Sequence, residues 1–149
     1  MLKYFQNFTM LERLDVAGSK LNFLMLEKIV QATRTLVHLN ILDCEFKLED
    51  IKHAVPGSFA KIKSIVIGGK TVTDELFSVI PKYFPNITVL DMSGCTKVSS
   101  KVVLPALNST LFLQTIYAGG KLNHVDKQVF SRLKESHPSL VVFTTKKMN

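Results

Sequence analysis

Long apolar runs are absent from this 149-residue sequence, since none approaches the roughly 18 residues that a membrane-spanning helix needs. The opening segment, MLKYFQNFTM, lacks the apolar centre of a signal peptide and the arginine and serine content of a transit peptide. We therefore expect an intracellular protein, cytoplasmic or nuclear, with no membrane span. Hydrophobic residues make up 46% and charged residues 21%, which is typical of a folded globular chain and predicts a single domain over residues 1–149.

Residue sets that support catalysis or metal binding are also missing. The four histidines are dispersed and form no zinc-binding spacing with the two cysteines. The side chains predicted to share one face of the strands include no paired carboxylates and no Ser/His/Asp set, and the glycine pairs Gly68-Gly69 and Gly119-Gly120 lack the lysine context of a Walker motif. We expect no catalytic residues, no metal, no cofactor and no small-molecule substrate, and therefore no enzyme activity.

A concentrated basic segment is likewise lacking, although the net charge is +7. The 19 Lys and Arg residues are spread along the chain, and the only tight cluster is Lys146-Lys147. No basic motif is interleaved with aromatic residues, as single-stranded nucleic-acid binding would favour. The charge pattern therefore indicates a solvated, mildly basic surface and argues against nucleic acid as the partner.

A pattern of apolar residues recurs along the chain, and its clearest copy runs from Ile62 to Cys95. Positions 1, 4 and 6 of each copy are apolar, a turn follows, and the pattern then starts again. Six copies have first positions 25, 26, 25, 26 and 27 residues apart: Leu11-Leu14-Val16, Leu36-Leu39-Ile41, Ile62-Ile65-Ile67, Ile87-Leu90-Met92, Leu113-Ile116-Ala118 and Leu140-Phe143-Thr145. Units of nearly equal length that stack on their neighbours form solenoids, so the period predicts one.

Each copy predicts one strand followed by one helix. Positions 1, 4 and 6 should face the core, with strands near residues 11–16, 36–41, 62–67, 87–92, 113–118 and 140–145. Apolar residues between the strands recur at helical spacing: Leu24-Ile29-Val30, Leu48-Ile51-Val55, Leu76-Phe77-Ile80, Val103-Leu107 and Val129-Phe130-Leu133. We expect an α/β fold of about six repeats, a right-handed horseshoe with parallel strands on the concave face and helices on the convex face.

Turn and cap residues support the same division of each copy. Position 8 predicts a sharp turn, with either positive φ or crowded backbone, in the first five copies, where it is Gly18, Asp43, Gly69, Gly94 or Gly120. Predicted helix N-caps are Thr73, Ser99 and Asn123, and Pro85 and Pro138 should end two helices. Residues Leu2 to Phe8 are apolar at helical spacing and are expected to form half of an earlier repeat or a short cap.

The repeats resemble the cysteine-containing leucine-rich repeats of the ribonuclease-inhibitor-like class, known from F-box ubiquitin-ligase receptors. The resemblance covers residues 9–145 and is carried by Ile87-x-x-Leu90-x-Met92-x-x-Cys95 with Val98-Ser99, by Val72-Thr73-Asp74-x-x-Phe77, and by the linkers Phe84-Pro85-Asn86-Ile87 and His137-Pro138-Ser139-Leu140. Only Cys44 and Cys95 occupy the cysteine position of the family, and the chain contains no F-box. The resemblance implies a protein-binding adaptor.

The two cysteines are expected to stay reduced. Cys44 and Cys95 hold equivalent positions two repeats apart, and neighbouring strands are about 4.8 Å apart. Their Cα atoms should therefore lie near 10 Å, beyond the reach of a disulfide. We predict buried thiols that are hydrogen-bonded to the loop backbone.

Strand positions 3 and 5 predict the candidate binding surface. If positions 1, 4 and 6 face the core, positions 3 and 5 line the concave face. Position 3 carries Arg13, His38, Ser64, Val89, Thr115 and Val142, and position 5 carries Asp15, Asn40, Val66, Asp91, Tyr117 and Thr144. Six of these residues form the predicted partner-binding site: Arg13, Asp15, His38, Asn40, Asp91 and Tyr117.

Three hypotheses on function remain open. The first is a non-catalytic protein-protein interaction module or adaptor, acting within a larger complex and binding another protein through the concave face. The second is a mitochondrial assembly factor similar to the leucine-rich-repeat factor of ATP synthase. The third is an enzyme inhibitor of the ribonuclease-inhibitor type, although those inhibitors are longer and acidic whereas this chain is basic. The first coil, around Leu2 to Phe8, is an alternative contact surface, since end coils of solenoids need a cap.

Overall fold

Six short strands form one open parallel sheet in the computed structural model, which describes residues 2–5, 7–120 and 125–144. The strands pair in chain order, and each pairs in parallel with its neighbours: β1 (Arg13–Asp15), β2 (His38–Asn40), β3 (Ser64–Val66), β4 (Val89–Asp91), β5 (Thr115–Tyr117) and β6 (Val141–Phe143). Each strand has three residues and lies inside the six-residue interval predicted for it. The predicted α/β class with a parallel sheet is confirmed.

Helices occupy the connections between consecutive strands. They are α2 (Phe23–Ala32), α3 (Leu48–Lys52), α4 (Asp74–Ser78), α5 (Ile80–Tyr83), α6 (Ser100–Asn108) and α7 (Lys127–Ser136), while α1 (Leu2–Phe5) precedes the first strand. Apolar residues of α2 to α7 and the middle residues of the strands belong to one buried cluster, so these helices pack on one face of the sheet. Val55 departs from its helical prediction because α3 ends before it, and its side chain is exposed.

The caps agree with the sequence at some helices and not at others. Thr73 accepts the backbone N–H of Leu76 and caps α4 as predicted. Ser99 is the N-cap residue of α6, as predicted, but its hydroxyl donates to Asp74 of α4 and makes no bond to the free amides of α6. The predicted cap Asn123 lies outside the described residues, and the N-cap of α7 is Asp126.

The five turns that follow β1 to β5 adopt the predicted conformation. The residue at position 8 has φ values of 65° at Gly18, 53° at Asp43, 98° at Gly69, 73° at Gly94 and 75° at Gly120. Asp43 tolerates this left-handed conformation better than most residues, and its carboxylate accepts the backbone N–H of Lys70 at 3.0 Å. A Cβ atom on Gly69 would lie 2.1 Å from that carboxylate oxygen, so glycine is required there for space as well as for φ.

The register of the last strand differs from the prediction by one residue. Val142 pairs with Ile116, and Phe143 pairs with Tyr117, so Val142 takes the inward place that was predicted for Phe143. Leu140 is buried at 4% exposure, but only one residue separates it from Val142, whereas two separate the first and fourth positions of the other copies. Because side chains alternate along a strand, this shift turns Phe143 to the opposite face of the sheet.

Candidate functional site

The face of the sheet opposite the helices carries all six predicted site residues. We call this surface the open face and define it by the two residues that flank the inward residue of each strand: Arg13 and Asp15, His38 and Asn40, Ser64 and Val66, Val89 and Asp91, Thr115 and Tyr117, Val141 and Phe143. Most of these residues are half-buried or exposed, while the residue between them is more deeply buried. Strand pairing therefore assembles the open face as two parallel columns, as the sequence predicts.

Four of the predicted residues line one hollow on the open face. The hollow has a volume of about 250 Å³ and spans the first three strands; its lining residues are Arg13, Leu14, Asp15, His38, Leu39, Asn40, Ser64 and Val66. Arg13 and His38 are direct neighbours in the register of β1 and β2, as are Asp15 and Asn40. The other two predicted residues, Asp91 and Tyr117, are neighbours on β4 and β5 and lie outside the hollow.

Three of the predicted residues bind their own backbone. Asp15 accepts the N–H of Ala17 at 2.9 Å, Asn40 accepts that of Leu42 at 3.0 Å, and Asp91 accepts that of Ser93 at 2.8 Å. Each bond closes an Asx turn, in which a short polar side chain caps the backbone two residues further on. These side chains therefore shape the turns that leave the strands, which leaves fewer of their polar atoms available to a partner.

Glycine replaces the Asx turn on the two neighbouring strands. Val66 and Tyr117 lack the short carboxylate or amide side chain that closes an Asx turn, and the residues two positions further on are Gly68 and Gly119. A Cβ atom on Gly68 would lie 2.0 Å from the backbone oxygen of Ser93, so that turn follows a path that only glycine permits. The strand exits are thus formed in two ways, either by an Asx side chain or by a glycine.

Arg13 is the cation of the hollow and has no partner in the described part of the chain. The ion pair in the described part of the chain joins Lys52 to Glu49, and both residues lie on α3, away from the open face. Asp15 lies two residues from Arg13, but its Oδ1 accepts Ala17 N–H and its Oδ2 accepts the side-chain amide of Asn40 at 2.9 Å. The guanidinium of Arg13 is therefore left without an acceptor among the described residues.

An aromatic pair lies at the other end of the open face. Tyr117 and Phe143 stack with ring centroids 5.0 Å apart and an interplanar angle of 13°. They remain 42% and 50% exposed, and Val141 beside them is 48% exposed. The sequence prediction included Tyr117 but missed Phe143 and Val141, because the last strand was placed one residue out of register. The signal that could have found them is the Val141-Val142 pair, which gives the strand a second apolar residue able to face inward.

Cys44 and Cys95 are free and buried, as predicted. The thiol of Cys44 donates to the backbone oxygen of Val16 at 3.1 Å, which confirms the expected bond to a loop for this cysteine. Among the described residues no such bond is found for Cys95. Burial, with smaller effects from the charges of Asp91 and Asp43, raises the pKa of Cys95 to about 12. A thiol with so high a pKa is neutral and unreactive at physiological pH, so this cysteine belongs to the core.

Two further features bear on partner classes. Among the described residues, no three His, Cys, Asp or Glu side chains are grouped closely enough to hold a metal ion. None of the helices described is long and apolar enough to cross a membrane. Comparison with protein-family models finds no match, and comparison with curated proteins finds none either.

The first coil, proposed above as an alternative contact surface, also exposes apolar side chains. Tyr4, Phe8 and Met10 are all exposed, and Phe5 packs against Phe8 with ring centroids 5.9 Å apart. This surface is formed by one short helix and a loop, in contrast to the open face, which six hydrogen-bonded strands hold in place. We therefore treat the open face as the candidate site and the first coil as its control.

Proposed function

We propose that the chain is a non-catalytic protein-interaction module, built as a leucine-rich-repeat solenoid, which binds a partner protein through the open face. Corresponding strand residues are 25 or 26 positions apart along the chain, as in Arg13, His38 and Ser64, which supports the repeat interpretation. Side chains that reach back one coil add to this support: Thr35 donates to Leu11 O, and Asn86 donates to Ala60 O.

The observation that carries the proposal is the half-exposed stack of Tyr117 on Phe143. Exposed aromatic rings keep a large apolar surface in contact with water, which is unfavourable. Aromatic residues are also over-represented among the residues that contribute most of the binding energy at interfaces. Here they lie on a preformed sheet, so little conformational entropy is lost when a partner binds. A rigid surface that combines exposed aromatic side chains with polar ones is typical of protein interfaces.

Site-specific photocrosslinking in cells that express the protein tests the proposal. A benzophenone amino acid replaces Val66 or Thr115 on the open face, Lys28 on helix α2, or Met10 on the first coil. We expect the same protein to be crosslinked from Val66 and Thr115 but not from Lys28 or Met10. Crosslinking from Met10 or Lys28 alone would place the partner elsewhere and refute the proposal.

Affinity measurements with the crosslinked partner, purified, then quantify the contact. Tyr117→Ala and Phe143→Ala should each weaken binding by more than about 1 kcal/mol, as truncation of an energetically important interface residue does. Phe112→Ala, which removes an exposed phenylalanine outside the open face, should leave the affinity unchanged.

A further inference from the structure

We propose that the open face recognises one protein segment through two anchors, an acidic side chain in the hollow of β1 to β3 and an apolar side chain on the Tyr117–Phe143 stack. This inference rests on the function proposed above and specifies the chemistry of the partner. The segment is acidic at one end and apolar at the other, and it lies across the strands.

The hollow fits a carboxylate because of its free donors. Arg13 presents a guanidinium with no ion-pair partner in the part of the chain described, and this group binds carboxylates through two parallel N–H bonds. The imidazole of His38 is its neighbour in register and can donate a further hydrogen bond. The carboxylate of Asp15, which would repel an acidic guest, already accepts hydrogen bonds at both oxygens.

The charge of the whole chain favours the same partner. With 19 Lys and Arg against 12 Asp and Glu, the chain carries a net charge of +7. Complementary charge steers an acidic segment toward the protein and raises the association rate at low salt. A basic or neutral segment would gain nothing from this field and would leave Arg13 unpaired on binding.

The other end of the open face fits an apolar side chain. Tyr117, Val141 and Phe143 form a continuous apolar surface at β5 and β6, each of them more than 40% exposed. An incoming leucine, methionine or aromatic side chain would cover the stacked rings and remove their apolar surface from water. Covering these rings with a charged side chain would instead desolvate a charge that has no partner there.

Strand spacing sets the distance between the two anchors. Four strand steps separate His38 on β2 from Phe143 on β6, which is about 19 Å at about 4.8 Å per step. An extended segment covers this span in about six residues at about 3.4 Å each. A helix covers it in about thirteen residues at about 1.5 Å each. The acidic and apolar anchors of the partner should therefore be about six or about thirteen residues apart.

A peptide library tests the inference with the full chain. A random library of 16-residue peptides displayed on phage is selected on the immobilised protein, and the enriched peptides are synthesised. We expect them to share an acidic residue and a large apolar residue at one of the two spacings. Their affinity should fall at least tenfold with Arg13→Gln and at least tenfold with Phe143→Ser, while the matched controls Arg132→Gln and Phe112→Ser change it less than twofold. Circular dichroism confirms that each variant is folded.

The outcomes separate this inference from the function on which it rests. Peptides that lose affinity with Phe143→Ser but not with Arg13→Gln, or that carry no acidic residue, would refute the acidic anchor and leave the open face as the binding site. Peptides that are insensitive to both variants would overturn the open face itself as a site for such segments. If no peptide is enriched, the occupant is not a short linear segment and the inference is wrong, whereas the crosslinking test above still stands for a folded partner.

Discussion

Replacing Asp91 should reveal whether the polar residues of the open face support the fold or serve only a partner. Asp91 accepts the backbone N–H of Ser93 at 2.8 Å in a half-buried turn. Hydrogen bonds to charged groups contribute about 1.5–3 kcal/mol, and water can partly replace this one, so Asp91→Ala should lower the free energy of unfolding by about 1–2 kcal/mol. At about 2–4 °C per kcal/mol for a domain of this size, the melting temperature should fall by about 2–8 °C.

Asp91→Asn provides the matched comparison, because it removes the charge and keeps an acceptor oxygen. Asn40 makes the equivalent bond at 3.0 Å with an amide, so an asparagine fits this turn. We expect Asp91→Asn to retain more than half of the stability that Asp91→Ala loses. The control Glu45→Ala, which removes an exposed carboxylate from the segment between β2 and α3, should change stability by less than about 0.5 kcal/mol.

Urea denaturation followed by circular dichroism measures all three variants against the parent chain. The reasoning is refuted if Asp91→Ala unfolds at the same urea concentration as the parent chain, since the hydrogen bond in the turn would then contribute nothing to stability. It is also refuted if Asn and Ala are equally destabilising at this position, since the charge rather than the turn would then be responsible. A partner-binding assay alone could not distinguish these cases, because a loosened turn also displaces the neighbouring side chains of the open face.

Two further perturbations test the turns and the core. Gly69→Ala should lower the free energy of unfolding by about 3 kcal/mol, because residue 69 has a φ of 98° and its new Cβ atom would lie 2.1 Å from Asp43. Gly18→Ala should lower it by only about 1 kcal/mol, because residue 18 has a φ of 65° and no atom lies within 4 Å of the new Cβ. Equal losses of stability in urea denaturation would contradict the steric argument. Because the pKa of Cys95 is raised from 9.0 to about 12, the folded chain keeps a proton that the unfolded chain releases, and the free energy of unfolding should fall as pH rises from about 9 to about 12. Denaturation at pH 8 and pH 10.5 should show a smaller pH effect for Cys95→Ala than for the parent chain; the same dependence in both would mean that this thiol is not responsible.

Much of the fold could be predicted from the sequence because one structural unit recurs. Leu39, Ile65, Leu90 and Ile116 hold equivalent places in four copies, and each is buried at the centre of its strand. A single copy would leave strand and helix ambiguous, whereas the constant spacing fixes the register of all copies together. Positive φ at position 8 was predictable for the same reason, since glycine or aspartate recurs there.

The last strand shows where this reasoning ends. Val141, Val142 and Phe143 are all apolar, so the sequence pattern does not determine which of them faces the core. The interval from Leu140 decides the register, and it depends on a turn in which the N–H of Leu140 donates to the backbone oxygen of His137. The repeat period of the sequence does not specify the contacts of that turn. The register was therefore predicted one residue out, and Phe143 was assigned to the core and not to the candidate site.

The sequence predicted where the candidate site lies, but not which of its side-chain groups are free to bind a partner. Arg13, Asp15, His38 and Asn40 were correctly brought to one surface by strand alternation. Their hydrogen bonds depend on the path of the chain after each strand, which the pattern of apolar residues does not specify. Only the structure distinguishes Arg13, which is unpaired in the described part of the chain, from Asp15, whose two carboxylate oxygens both accept hydrogen bonds.

The two ways of leaving a strand limit how the open face can be redesigned. A residue such as Asp91 is coupled to Ser93 two positions later, while Tyr117 is coupled to Gly119. Exchanging an aspartate for an aromatic residue therefore removes a turn unless a glycine is introduced with it, as in Asp91→Tyr combined with Ser93→Gly. The residues at the other end of each strand, such as Arg13 and His38, carry no such constraint. In the column that contains Arg13 and His38, binding specificity can be altered one residue at a time. In the column that contains Asp91 and Tyr117, each substitution must be combined with a second one two positions further on.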